Sequence, residues 1–174
     1  MERLNIIQDS DWITFLKIMK EYLPDTEVEV ATQKREQYPI AFVGYYQENQ
    51  LIGIAFGWPR KEELKNMQTI TLQGIAIEWD YKANGIGSKL LRFWEQQVKA
   101  IGYKKAGVGS ADGYVEHFYQ KNGYQPICYK LFDSEGIAYE FPIRDALELE
   151  AFDREKVIKE HGGNQGFLVL EHEL

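Results

Sequence analysis

The sequence predicts one α/β domain over residues 1–174, with an acidic insertion at 133–165 before its final strand. Three observations predict it. Strand-like runs at 40–46, 51–58 and 67–77 alternate polar with apolar residues or run continuously apolar. Two segments, 12–23 and 88–101, place apolar residues at helical spacing. The third strand-like run passes through a two-glycine turn straight into the second of those helices.

The elements follow in order. Residues 4–7 read as a short first strand. Asp9 or Ser10 then caps a helix on which Trp12, Phe15, Leu16, Met19 and Leu23 share a face, with Pro24 just past its end. Residues 25–38 are polar and mixed: a loop, with or without a short second helix. Glu48-Asn49-Gln50 makes a tight hairpin between the next two strands, and Pro59 ends the second of them. In the third strand Thr69, Thr71 and Gln73 alternate with Ile70, Leu72 and Gly74. Ile75-Ala76-Ile77 then runs apolar, as strands buried on both faces do, and Gly74 marks a bulge. The following helix has Leu90, Leu91, Trp94, Val98 and Ile101 on one face and Gly102 as its stop. A strand at 104–109 follows. Asp112 caps a helix holding Val115, Phe118 and Tyr119, with Phe118 as the core contact. A strand covers 124–132. The insertion carries a helix over about 145–160 by its period, broken by Gly162-Gly163, and 166–170 is the last strand.

Composition narrows the class. Apolar content of 44% and charged content of 27% are those of a soluble globular protein. The lone cysteine, Cys128, cannot form an internal disulfide, so a reducing cytoplasm is the natural setting. No signal-peptide core stands at the N-terminus, and no apolar run reaches about 18 residues, so no membrane contact is expected. The net charge of −7 is uneven. Residues 81–105 hold six bases against one acid, whereas 133–174 hold eleven acids against four bases. A basic island in an acidic protein suits an anionic ligand there; the acidic remainder favours a cationic second ligand and disfavours nucleic acid.

The glycine turn supplies the chemistry for the anion. Lys82, Ala83, Asn84, Gly85, Ile86, Gly87 and Ser88 lie between strand and helix. Glycine lets the backbone adopt positive φ and approach a ligand closely. The first amides of the helix lack internal partners and sit at the positive end of its dipole, a pyrophosphate site. A P-loop is excluded, because no Gly-Lys-Ser/Thr follows four spacers. A dinucleotide fingerprint is excluded too, because Leu90 stands where its third glycine belongs.

Downstream, Tyr119 precedes Asn122-Gly123-Tyr124. A phenol of ordinary pKa near about 10 is protonated at neutral pH and can give a proton to a departing thiolate. In this combination the segment 75–126 resembles the GNAT superfamily of N-acetyltransferases. That family's Gln/Arg-x-x-Gly-x-Gly/Ala motif is matched by Lys82, Gly85 and Gly87, five residues beyond Ile77. Its downstream Tyr-x-x-x-Gly-Phe is matched by Tyr119, Gly123 and Tyr124. Two positions depart: Lys82 replaces Gln or Arg, and Asp112 stands where many members have Asn near the pantetheine arm.

The resemblance implies a mixed, mostly antiparallel central sheet flanked by helices, acetyl-CoA as co-substrate, and no metal. It implies that backbone groups of Ile75 and Ile77 hold the pantetheine, that residues 82–88 hold the pyrophosphate, and that Tyr119 is the general acid for direct attack by an amine. A cytoplasmic enzyme with a small-molecule amine substrate is the expectation. A protein acetyltransferase and a non-catalytic acyl-CoA sensor are the alternatives. Tyr45, Tyr46, Trp58, Glu27 and Glu29 are candidates to line the acceptor site, and Glu78 is a candidate base. Many relatives form homodimers, for which Leu147, Leu149 and Phe152 are candidate contacts. No His/Asp/Glu cluster suggests a metal.

Overall fold

The computed structural model describes residues 1–82, 84–110 and 113–174, leaving aside the side chains of 163–165. The chain forms two compact units, residues 1–106 with Leu174, and residues 107–173.

In the first unit, strand β1 (Glu2–Ile6) is followed by helices α1 (Trp12–Tyr22) and α2 (Val28–Gln37), then strands β2 (Phe42–Gln47), β3 (Gln50–Trp58) and β4 (Thr69–Ile77), and helix α3 (Ile86–Ala100). Strand β5 (Lys105–Ser110) begins here. β1 pairs antiparallel with β2, β2 with β3, and β3 with β4. The β2–β3 loop is the two-residue Glu48-Asn49, both at positive φ (50° and 68°). Such a turn has the hand that matches the twist of its flanking strands. The bulge expected at Gly74 falls one residue earlier: Phe56 pairs with Gly74 and Gly57 with Leu72, so Gln73 is the extra residue.

Alternation along the strands explains why both sheet faces are covered. Phe15, Ile18 and Met19 of α1 pack against Phe42, Ile54 and Phe56, with ring centroids 5.4–5.7 Å apart among Phe15, Phe42 and Phe56. On the other face α3 lies against β2 and β3, burying Ile86, Leu90, Leu91, Trp94 and Val98. The Trp94 indole N–H donates to the Ala41 carbonyl at 3.1 Å. Ile101, expected on that buried face, is exposed. It stands past the last helical residue, where Gly102 at φ 106° turns the chain.

In the second unit, helix α4 (Gly113–Lys121) precedes strands β6 (Gln125–Asp133) and β7 (Ala138–Pro142), helices α5 (Ala146–Ala151) and α6 (Arg154–His161), and strand β8 (Gly163–Glu173). β6 pairs antiparallel with both β7 and β8. Residues 133–165, expected as an insertion, therefore include a strand, β7. The single helix expected there is two helices, because Asp153 starts a new one by accepting the Lys156 N–H at 2.9 Å. Phe152, at the break, turns onto Tyr129 and Phe141 (5.1 and 5.8 Å). Gly162 at φ 64° ends α6. Cys128 lies within β6, as a strand residue. No helix among the described residues is long and apolar enough to cross a membrane.

Candidate active site

The glycine turn enters α3 at Gly85. Gly85 is the N-cap of α3 at φ 71°. A Cβ there would meet nothing within 4 Å, so the left-handed conformation, not space, calls for glycine. The first internal bond of the helix runs from the Lys89 N–H to the Gly85 carbonyl at 3.2 Å. The amides of Ile86, Gly87 and Ser88 precede it, at the positive end of the dipole. Asn84 and Gly85 are exposed, Gly87 and Ser88 half-buried, and Ile86 is buried as a core side chain. Ala83 lies outside the described residues.

The two lysines near the turn have local partners. Lys82 Nζ sits 4.2 Å from the Trp79 ring centroid and 5.5 Å from that of Tyr22. Lys89 Nζ donates to Glu2 Oε2 at 2.8 Å, and that bond holds the Glu2 carboxyl below its usual range. Both are exposed pairings of modest strength.

In β4 the pairing with β3 fixes which way the backbone points. The Glu78 N–H donates to the Ile52 carbonyl at 2.8 Å, and the register pairs Ile77 with Gly53 and Ile75 with Ala55. Antiparallel pairs alternate between bonded and non-bonded. Ile77 and Ile75 thus fall in the non-bonded pairs, and their N–H and C=O groups point away from β3. Both side chains are half-buried.

On α4 the buried residues are Glu116 and Tyr119, and Phe118 is half-buried. This corrects the expectation that Phe118 is the core contact. Tyr119 is only 3% exposed, with its ring 5.2 Å from Phe118 and 5.5 Å from Tyr124. Burial pushes its phenol well above the ordinary value.

The spacing of Tyr119, Gly123 and Tyr124 has a local cause. The Tyr124 N–H donates to the Tyr119 carbonyl (3.1 Å) and the Gly123 N–H to that of Gln120 (3.0 Å), with Gly123 at φ 96°. This is a Schellman stop, in which Tyr119 and Tyr124 hold the two positions that make its hydrophobic contact. His172 stacks on Tyr124 (5.3 Å), and its Nδ1 lies 3.0 Å from the Gly123 carbonyl. Asp112 lies outside the described residues.

The family model described as acetyltransferase (GNAT) domain matches residues 39–126, half of the chain. The chain belongs to the GNAT acetyltransferases. No curated protein sequence matches it significantly. Among solved structures, the GNAT-like fold is shared with YncA from Salmonella typhimurium, which was solved with its cofactor acetyl-CoA. The TM-score is 0.71 and the identity 8%, over 100% of this chain and 94% of that one. The ribosomal-protein-S18-alanine N-acetyltransferase of Escherichia coli gives 0.66 and 11%, over 99% and 94%. A mutant agmatine N-acetyltransferase, in its apo form, gives 0.68 and 9%, over 99% of each chain.

Within the GNAT frame, some expected acceptor residues are placed elsewhere. Tyr45 and Tyr46 are each 1% exposed and belong to the core, because adjacent strand residues point to opposite, equally covered faces. The Tyr46 hydroxyl donates to Asp11 Oδ2 at 2.8 Å. Trp58 is half-buried and stacks on Phe42 and Phe56. Glu27, Glu29 and His117 are exposed, and Glu78 is half-buried.

Two features escaped sequence reasoning. The Trp79 N–H donates to the Tyr22 hydroxyl at 3.1 Å, tying the end of α1 to the segment before the glycine turn. Arg154 donates from both Nη atoms to both Glu116 carboxylate oxygens, at 2.7 and 2.8 Å. Among the described residues no group of three His, Cys, Asp or Glu side chains is arranged to hold a metal.

Proposed function

We propose that this GNAT enzyme transfers the acetyl group of acetyl-CoA to the primary amine of a small cationic molecule by direct attack. The observation that carries the donor half is the pairing of the α3 N-terminus behind Gly85 with backbone at Ile75 and Ile77 that points away from β3. Residues 82–88, including Ala83, hold the pyrophosphate through their amides. Backbone groups of Ile75 and Ile77 hold the pantetheine arm, with Asp112 beside it. When bound, acetyl-CoA supplies an activated thioester. The Ile77 amide, fixed in the strand, is an oxyanion-type donor to the carbonyl oxygen.

Tyr119 serves the departing sulfur. Its raised pKa makes complete proton transfer to a thiolate of ordinary pKa about 8.5 uphill, so its chief contribution is a hydrogen bond that strengthens as charge develops on sulfur. An alkyl ammonium of pKa about 10.4 must lose a proton before attack. Glu78, one residue beyond the strand end, is the candidate base.

The net charge of −7 supports a cationic acceptor, since an acidic surface raises the local concentration of ammonium ions. The experiment is an amine panel with acetyl-CoA, following CoA release. It contains polyamines, agmatine, aminoglycosides, amino sugars, and peptides with a free N-terminal alanine or an internal lysine. Fastest turnover with a small cationic amine is expected. Faster turnover of a peptide replaces this reading with a protein acetyltransferase, and no turnover with any member leaves an acyl-CoA-binding module.

The donor site has its own test. Gly87→Trp places an indole over the amides that receive the pyrophosphate. Acetyl-CoA affinity, measured calorimetrically, is expected to fall at least about 100-fold, the loss of about 2.7 kcal/mol of anion contacts. The far-UV spectrum and Tm stay near those of the parent, because residue 87 is only half-buried. Unchanged affinity would remove the phosphate assignment.

A further inference from the structure

Arg154 occupies a place that helix stability does not explain. It is the first residue of α6, next to its Asp153 cap, where the helix dipole disfavours a positive charge. Residues 133–174 offer it eleven acids, most of them on exposed positions. The guanidinium instead makes a two-pronged bond to Glu116, whose side chain is only 7% exposed. A planar fork on a carboxylate fixes orientation as well as distance.

The fork is itself held in place. The guanidinium carbon lies 5.5 Å from the centroid of Tyr129. Tyr129 is 2% exposed and packed by Phe152. Gly166 makes room for that ring: a Cβ there would lie 2.4 Å from the phenol oxygen.

A buried ion pair is a poor source of net stability, because removing both charges from water offsets most of their attraction. It is a good source of geometry. Glu116 and Tyr119 stand at positions i and i+3 of α4, on one face one turn apart. Any rotation of α4 about its axis that moves Tyr119 also breaks the fork.

We propose that Arg154 of the insertion is a positioning residue for the reaction: through its two-pronged bond to Glu116 it fixes the rotation of α4 and so the placement of the Tyr119 hydroxyl. This rests on Tyr119 as the acid, and it gives the insertion a role in turnover separate from acceptor recognition.

A double-mutant cycle tests it, using acetyl-CoA and the panel amine that the unsubstituted enzyme acetylates fastest. Arg154→Met is expected to lower kcat about tenfold or more while the acetyl-CoA dissociation constant stays within about twofold. Tyr119→Phe/Arg154→Met is expected to be no slower than Tyr119→Phe alone, since the second change misplaces a group already removed. Glu116→Met/Arg154→Met, which leaves no buried charge to unfold the unit, is expected to fold and yet remain slow.

Losses that multiply in the first double variant overturn the proposal, as does full kcat in the second. A parental rate in Tyr119→Phe alone is a different failure. It removes the acid, and with it the target of the positioning.

Discussion

Replacing Tyr119 by Phe is expected to lower kcat about 100-fold and to leave the acetyl-CoA dissociation constant within about twofold, the signature of a group that acts on the transition state. The substitution removes a single hydroxyl. The ring, which packs 5.2 Å from Phe118 and 5.5 Å from Tyr124, is retained, so α4 keeps its stop and its core contact. The pH dependence follows from the burial. In the proposed role the active form is the protonated phenol, and burial raises its pKa. A raised pKa extends the protonated range upward, so kcat shows no alkaline fall from Tyr119 below about pH 10. Rate–pH profiles of both forms check this. A parental kcat in the Phe variant removes the acid assignment. An alkaline fall near pH 8 that disappears with the hydroxyl contradicts the buried phenol.

The glycine turn and the helix stop of the candidate site are legible in the sequence because local rules write them. Gly85 must be glycine for its left-handed φ, and Gly123 for its place in the Schellman stop, so the backbone imposes those two residues and, at Gly123, the spacing to Tyr119 and Tyr124. Strands β2 and β3 and their two-residue turn were readable for the same reason. What escaped depends on partners distant in sequence. Tyr45 and Tyr46 look like cleft residues until α1 and α3 are seen to cover opposite faces of β2. Period alone joined α5 to α6, because Asp153 reads as one more surface acid until its side chain caps the second helix. Ala138-Tyr139-Glu140-Phe141 alternates as β7 should, but in an acidic stretch that pattern is too short to outweigh its surroundings. The pairing of Arg154 with Glu116 spans 38 residues. Its only trace in the sequence is an acid one turn before the tyrosine, on the face that proves to be buried.

The largest expected loss of stability comes from a glycine that no motif marks. Gly57 lies in β3, where a Cβ would stand 2.4 Å from the Thr71 carbonyl oxygen, 2.7 Å from Trp94 Cζ2 and 3.0 Å from the Leu72 Cα. Two of those three atoms are backbone and cannot step aside without shifting β4 at its bulge. The third belongs to an indole that is fully buried and bonded to the Ala41 carbonyl. Gly57→Ala is therefore expected to destabilise the protein by about 3 kcal/mol, the upper range for overpacking. Gly53, four residues earlier on the same strand, is the control. A Cβ there meets its nearest neighbours at 3.4–3.6 Å, ordinary contact. Gly53→Ala should be neutral or stabilise by up to about 1 kcal/mol, through the restricted unfolded chain. Urea unfolding of the two variants measures the difference. Equal midpoints would mean that β4 and Trp94 yield more easily than a packed sheet should, and the bulge at Gln73 would then be a soft element of the strand.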